Sequence, residues 1–241
     1  MGTAGRLMGF IAIAAAFTGC GGRDGDANGN AVLAVNTASV FEDSRDGKVY
    51  GIIQVGGQAW MAENLNYAAE GSVCYENKAE NCAKYGRLYN WETALTACPV
   101  GTHLPDDDEW ATLMYYASGL LTAIKNGDDI SSLPGVYDTP GSDFFHFHAE
   151  TAGTKLKSSR GWESYNDVPA GTNEYGFSAL PGGFGNSEGD FDYADRYGFW
   201  WSATEYGTDG AFRRGMFYDI ENVFRAYNNK KHLLSVRCIL D

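Results

Sequence analysis

Four cysteines bound what this chain can fold into more tightly than any other feature. Cys74, Cys82, Cys98 and Cys238 span most of the sequence beyond residue 40, while Cys20 stands apart near the N-terminus. In an exported chain an even set of this kind reads as two disulfides, and four cysteines allow three connectivities. Cys74 and Cys82 flank a short polar segment, so a local bridge is the natural choice and leaves Cys98 for Cys238. That long closure is worth about 4 to 5 kcal/mol in the chain-entropy account. A metal site is the rival reading, but the spacings follow no zinc pattern and the chain has only 4 histidines.

Export is read from the first residues. One basic residue, Arg6, precedes an apolar run from Leu7 to Phe17. The run is too short to span a bilayer, which takes about 20 residues, and suits the core of a signal peptide. It ends in Phe17-Thr18-Gly19-Cys20, which resembles the bacterial lipobox, with Phe17 where that pattern has leucine. Residues 1–19 are accordingly read as a lipoprotein signal peptide and Cys20 as the lipidation site. An ordinary leader with a chance cysteine is the competing reading. Residues 20–40, rich in Gly, Asn, Asp and Ala without apolar periodicity, read as a flexible tether. Residues 41–241 read as one domain. The expected address is the bacterial cell envelope, at the outer-membrane surface, with the lipid anchor as the sole membrane contact. A formal net charge of -13 argues against a nucleic-acid partner, because phosphate binding needs a basic face.

Local patterns give an α+β order. Val49 to Val55 and Gln58 to Met61 are apolar runs around Gly56-Gly57, a hairpin signal. Asn90 caps a helix to about Ala97. Asp106 with Glu109 opens a second helix carrying Trp110, Leu113, Met114 and Ala117, which gives the acidic triplet Asp106-Asp107-Asp108 a structural role at a helix N-terminus. Long loops are expected from about Asn126 to Asn173. Strand signals return at Gly198 to Thr204, Ala211 to Tyr218, Val223 to Tyr227 and Leu233 to Ile239, and read as an antiparallel meander.

The words that punctuate this order resemble the Fibrobacter succinogenes major paralogous domain family. They are Asp46-Gly47-Lys48-Val49-Tyr50, Trp60-Met61-Ala62-Glu63-Asn64-Leu65-Asn66 and Tyr85-Gly86-Arg87-Leu88-Tyr89-Asn90-Trp91. Cys98 through Pro105 with Glu109-Trp110 follows, then Asn173 through Gly183, Trp200 through Glu205, and Ser235-Val236-Arg237-Cys238. More distantly, Leu104-Pro105 with Glu109-Trp110 is similar to formylglycine-generating-enzyme-like domains. The resemblance implies the C-type lectin-like fold: two helices, an antiparallel hairpin-built sheet, and long loops. That fold typically carries a bridge from the end of the first helix to the last strand, here Cys98 to Cys238.

Site chemistry is sparse, and no enzyme is expected. Formylglycine-generating enzymes use a late cysteine pair, whereas this chain has only Cys238 late, and a bridged sulfur is no nucleophile. Phe144-Phe145-His146-Phe147-His148 sets two histidines on one strand face, with Asp143 and Glu150 as the nearby carboxylates; exposed loop histidines are the plainer reading. No cofactor is expected beyond a structural calcium, for which Asp190, Asp192 and Asp195 are the candidate ligands, against a solvated acidic loop. Trp162, Tyr165, Tyr193, Tyr197, Trp201 and Tyr206 are the candidate ligand-binding residues. Loop aromatics can stack on sugar rings, and adjacent Trp200 and Trp201 must point to opposite faces of a strand, which leaves one a candidate for exposure. The functional expectation is a lipid-anchored surface protein that binds a glycan or a partner protein. A structural or assembly role in the envelope, and an enzyme on the same scaffold, are the alternatives.

Overall fold

A computed structural model of the protein describes residues 39–119 and 151–241. The leader, Cys20, residues 20–38 and the histidines His146 and His148 lie outside the described residues, as do Asp143 and Glu150. Strand β1 (Ser39–Asp43) takes in Ser39 and Val40, which the sequence reading leaves in the tether. The hairpin follows: β2 (Lys48–Val55) pairs antiparallel with β3 (Gln58–Met61), with Val55 opposite Gln58. Gly56 and Gly57 sit at φ of +63° and +84°, the left-handed pair that a two-residue hairpin of strand-compatible twist requires.

Helix α1 (Ala79–Tyr85) has no counterpart in the sequence reading. It is short, lacks a side-chain N-cap and buries only Cys82 and Tyr85, so no periodic signal marks it. The Cys74–Cys82 disulfide spans the single 3-10 turn Tyr75–Asn77 and anchors this helix. Strand β4 (Leu88–Tyr89) leads to α2 (Trp91–Ala97), where Asn90 Oδ1 accepts from the Thr93 amide at 2.9 Å. After β5 (Thr102–His103) comes α3 (Asp107–Ser118). Its capping box is complete, with the Glu109 amide donating to Asp106 and the Asp106 amide to Glu109. Asp107, in its first turn, also takes the guanidinium groups of Arg214 (2.6 Å) and Arg225 (2.7 Å), so two of the three acidic residues, Asp106 and Asp107, are occupied structurally.

Beyond α4 (Ala152–Leu156) and a largely irregular stretch lie β6 (Gly182–Gly185), β7 (Phe191–Ala194), β8 (Tyr197–Tyr206), β9 (Gly210–Phe217), β10 (Val223–Asn229), β11 (Leu234–Ser235) and β12 (Ile239–Leu240). Two sheets result. One runs β1-β2-β3-β12-β5, all antiparallel; the other runs β10-β9-β8-β11-β4, with β6 paired to β8 and β7 paired to β6. The meander is therefore limited to β8, β9 and β10. Strand β11 lies parallel to β8, and the chain then crosses to the first sheet at β12. The Cys98–Cys238 disulfide fixes that crossing by joining the end of α2 to the residue before β12. The class is α+β with mostly antiparallel sheets, and among the described residues no helix is long and apolar enough to cross a membrane.

Strand β8 divides the interior. Trp200 packs with Trp60, Trp110, Phe177 and Met216 on the α3 side, while Phe199 and Trp201 pack with Tyr89, Trp91, Ala94 and Leu234 on the other. The two tryptophans do face opposite ways, but both are 0% exposed, which corrects the expectation that one reaches solvent. Trp201 is covered because α2 and β4 close over it, and its Nε1 donates to the Tyr89 carbonyl at 2.8 Å. Between the sheets sits a polar knot. Asn64 Oδ1 accepts from Trp200 Nε1 (2.8 Å) and Arg237 Nη2 (2.7 Å), and Arg237 Nη1 donates to the carbonyls of Met61 and Phe177.

Candidate functional site

The face of the second sheet that buries Trp201 comes to the surface at its other end. Side chains directly opposite one another across an antiparallel pair share a face. Tyr197 stands opposite Phe217, Phe199 opposite Gly215, and Trp201 opposite Arg213. One strand further, Gly215 faces Phe224 and Arg213 faces Ala226. Burial falls along β8 from Trp201 and Phe199 to the half-buried Tyr197.

The emerging rings form a continuous run. Centroids lie 5.9 Å apart for Phe184–Tyr193, 4.7 Å for Tyr193–Tyr197, 4.4 Å for Tyr197–Phe217 and 4.9 Å for Phe217–Phe224. Tyr165 joins through Tyr218, at 5.3 Å from it, with Tyr218 at 6.2 Å from Tyr197. Tyr193 is 47% exposed and Tyr165 43%, so the run ends in open aromatic surface. Tyr193 holds φ of +67°, a conformation that costs a bulky residue roughly 1 to 3 kcal/mol. The turn after it is tied down by Asp195, whose carboxylate accepts from Tyr85 Oη (2.6 Å) and Lys84 Nζ (2.9 Å). Burial alone would raise the Asp195 pKa, but those two hydrogen bonds outweigh it and hold the carboxyl below its usual value.

Polar groups lie at the edge of this face. Arg213 Nε donates to Asn228 Oδ1 at 2.7 Å, and the Asn228 amide lies 2.8 Å from His232 Nδ1. His232 packs on Phe184, 5.8 Å between ring centroids. Burial, and then the charge of Arg213, hold its pKa below 6.5.

The face gathers three of the residues that sequence singles out, Tyr165, Tyr193 and Tyr197. Trp201 is too deep to touch a ligand. Trp162 packs against the α3-side core and donates Nε1 to the Ala179 carbonyl at 3.0 Å. Tyr206 lies at the far end of the ten-residue β8, stacked on Tyr227 at 4.1 Å. Sequence reasoning misses Phe184, Arg213, Phe217 and His232, which come from β6, β9 and the segment after β10.

The proposed calcium ligands do not converge. Asp190 is held by the Asn186 side chain in a tight turn, Asp195 is bound to Lys84 and Tyr85, and Asp192 is exposed on β7. Among the described residues no group of three or more His, Cys, Asp or Glu side chains could hold a metal. The spacing that suggests calcium is strand alternation followed by a turn, which sends the carboxylates to different neighbours. All four cysteines of the described residues are bridged, so none offers a thiolate. A cleft of about 390 Å³ lies elsewhere, lined by Thr151, Val168 and Asp219 to Asn222. Lys157, with its pKa pushed down to about 8 by burial, spends its ammonium on the carbonyls of Phe217 and Ile220.

The family model described as Fibrobacter succinogenes major domain matches residues 53–240, which include the whole aromatic run. Neither the curated proteins nor the solved structures contain a match to the chain.

Proposed function

The chain belongs to the Fibrobacter succinogenes major domain family, and we propose that it is a lipid-anchored bacterial surface protein that binds an extracellular glycan through the aromatic face of Tyr193, Tyr197 and Phe217. The observation that carries the reading is the run of contacting rings that includes an exposed, backbone-strained tyrosine. A strained residue within a solvent-facing aromatic strip points to recognition, since packing alone gains nothing from the strain. Aromatic faces suit the apolar side of a pyranose ring. Two disulfides fit an oxidising compartment, as the apolar run before Cys20 does. The bridge from the end of α2 to the last strand, with two sheets and irregular loops between, supports the C-type lectin-like architecture.

The purified chain should bind members of a glycan array. Tyr193→Ala should weaken that binding by up to roughly tenfold, since one stacked ring is worth about 0.5 to 1.5 kcal/mol. The backbone strain stays, since alanine at positive φ is strained as tyrosine is, and loss of the 47% exposed ring should lower the melting temperature by only a few degrees. Unchanged binding by Tyr193→Ala would remove this face from the reading. A blank array would favour the assembly role, with a protein partner on the same rings. Mass spectrometry of the native protein tests the address, and an unmodified N-terminus other than Cys20 would refute it.

A further inference from the structure

Arg213 lies within the aromatic face as a cation with no counter-charge. It is 9% exposed, its guanidinium carbon sits 4.4 Å from the centroid of the Phe199 ring, and Nε donates to Asn228. Nη1, shut off from solvent, makes no hydrogen bond among the described residues. No ion pair reaches Arg213 among the described residues, and its neighbour His232 is held neutral. The other interior arginines are treated differently. Arg214 meets Asp107, and Arg237 distributes its donors over Asn64 Oδ1 and the carbonyls of Met61 and Phe177. An unpaired buried donor on a charged group is among the costliest features a fold can keep. The backbone also makes room for it, since a Cβ on Gly215 would come within 2.5 Å of Nη1.

We propose that Arg213 is the anion-reading residue of the aromatic face, and that the ligand is a glycan carrying a carboxylate on its pyranose ring, a uronic acid. This rests on the glycan reading of that face and names its substrate class. The two parts of the site meet at Phe199, whose ring lies 6.0 Å from Tyr197 and 4.4 Å from the guanidinium. A sugar stacked on Tyr193 and Tyr197 thus brings a carboxylate of the same oligosaccharide within reach of Nη1, once a half-buried ring beside it, Phe184 or Phe217, changes rotamer. A carboxylate there completes the hydrogen bonding of Nη1 and neutralises the buried charge.

The test uses the purified chain and matched ligands: tetramers of galacturonate, glucuronate and mannuronate, each beside its carboxyl-reduced neutral counterpart, measured by titration calorimetry. At least one uronate tetramer should bind tenfold or more tightly than its neutral counterpart. Arg213→Gln should remove that preference while keeping the neutral affinity. If Arg213→Gln does not fold, the matched ligands on the parent protein decide alone. His232 supplies a second readout: burial and the Arg213 charge depress its imidazole pKa, and the part due to Arg213 should be lost when the uronate binds, so the pKa should rise. Equal affinity for charged and neutral tetramers overturns the carboxylate inference and leaves the glycan reading standing. Binding of none of the six overturns the inference, and a blank glycan array beside it removes the glycan reading as well.

Discussion

Replacing Asn64 with alanine should be among the most damaging small substitutions in this protein, although Asn64 lies outside the aromatic face. Its side chain is 4% exposed and closes both halves of the polar knot. Oδ1 accepts from Trp200 Nε1 at 2.8 Å and from Arg237 Nη2 and Nε at 2.7 and 3.2 Å, while Nδ2 donates to the Tyr85 carbonyl at 2.8 Å. Alanine leaves the buried indole N–H and half of the fully buried guanidinium without acceptors. Burial pushes the Arg237 pKa down to about 9 against the opposing charge of Glu63, and no salt bridge reaches it among the described residues, so these oxygens carry most of the support for its charge. One orphaned neutral donor costs roughly 1 to 3 kcal/mol and a charged one more, which places Asn64→Ala at about 4 to 6 kcal/mol. For a domain of this size that lowers Tm by roughly 10 to 20 °C. Thermal unfolding followed by circular dichroism measures it. A double-mutant cycle with Trp200→Phe, which removes the indole donor, should show coupling of about 1 kcal/mol or more. A shift under about 5 °C with additive effects would mean that water or a shifted carbonyl satisfies the knot, and the energetic argument would fail.

The two disulfides should differ in worth. With sequence separations of 140 and 8, the chain-entropy relation gives about 5 kcal/mol for Cys98–Cys238 and about 2.5 kcal/mol for Cys74–Cys82. Guanidinium unfolding of the paired alanine variants checks this, and a larger loss from Cys74→Ala/Cys82→Ala would reverse the ranking. The two histidines of the described residues, His103 and His232, should titrate on opposite sides of pH 6.5 by NMR. Burial opposes charge on His103, but hydrogen bonds to Asp241 and Glu109 outweigh it and raise the pKa, so its stabilisation is full below pH 6.5 and lost as pH rises through the folded value. His232 is depressed by burial and by Arg213, so its contribution is present above pH 6.5 and lost as pH falls. Two histidines titrating together would refute both environments.

What could be read from the sequence was what local chemistry decides. The Gly56-Gly57 hairpin, the Asn90 cap and the Asp106–Glu109 box each depend on a few adjacent residues, and each stands where the pattern puts it. Alternation correctly sends Trp200 and Trp201 to opposite faces, but it says nothing about what covers a face. Trp201 is buried by α2 and β4, which lie more than a hundred residues earlier in the chain. Helix α1 and strands β6 and β7 are short, and β6 is mostly glycine, so neither periodicity nor propensity marks them. The aromatic face was legible only in part for the same reason. Tyr193 and Tyr197 are near neighbours joined by a tight turn, whereas Phe184, Phe217 and His232 reach them only through sheet pairing.

The same residues show why local rules fail at this face. A sequence specifies a fold when propensity, packing and polar satisfaction agree, and natural chains break that agreement mainly where function demands it. Here two breaks lie on one surface: a tyrosine held at positive φ, and a buried guanidinium with an unpartnered nitrogen. Neither is required by the folding of β8 or β9. Asparagine or glycine would satisfy the turn at position 193 without strain, and an apolar residue opposite Trp201 would fill position 213 without a buried charge. Both features persist within 6 Å steps of the same rings, Tyr197 and Phe199. An oxyanion on a bound sugar would satisfy the unpartnered nitrogen, and the rings offer the stacking surface that the cleft beside Asp219, lined by Thr151, Val168 and Asp219 to Asn222, does not.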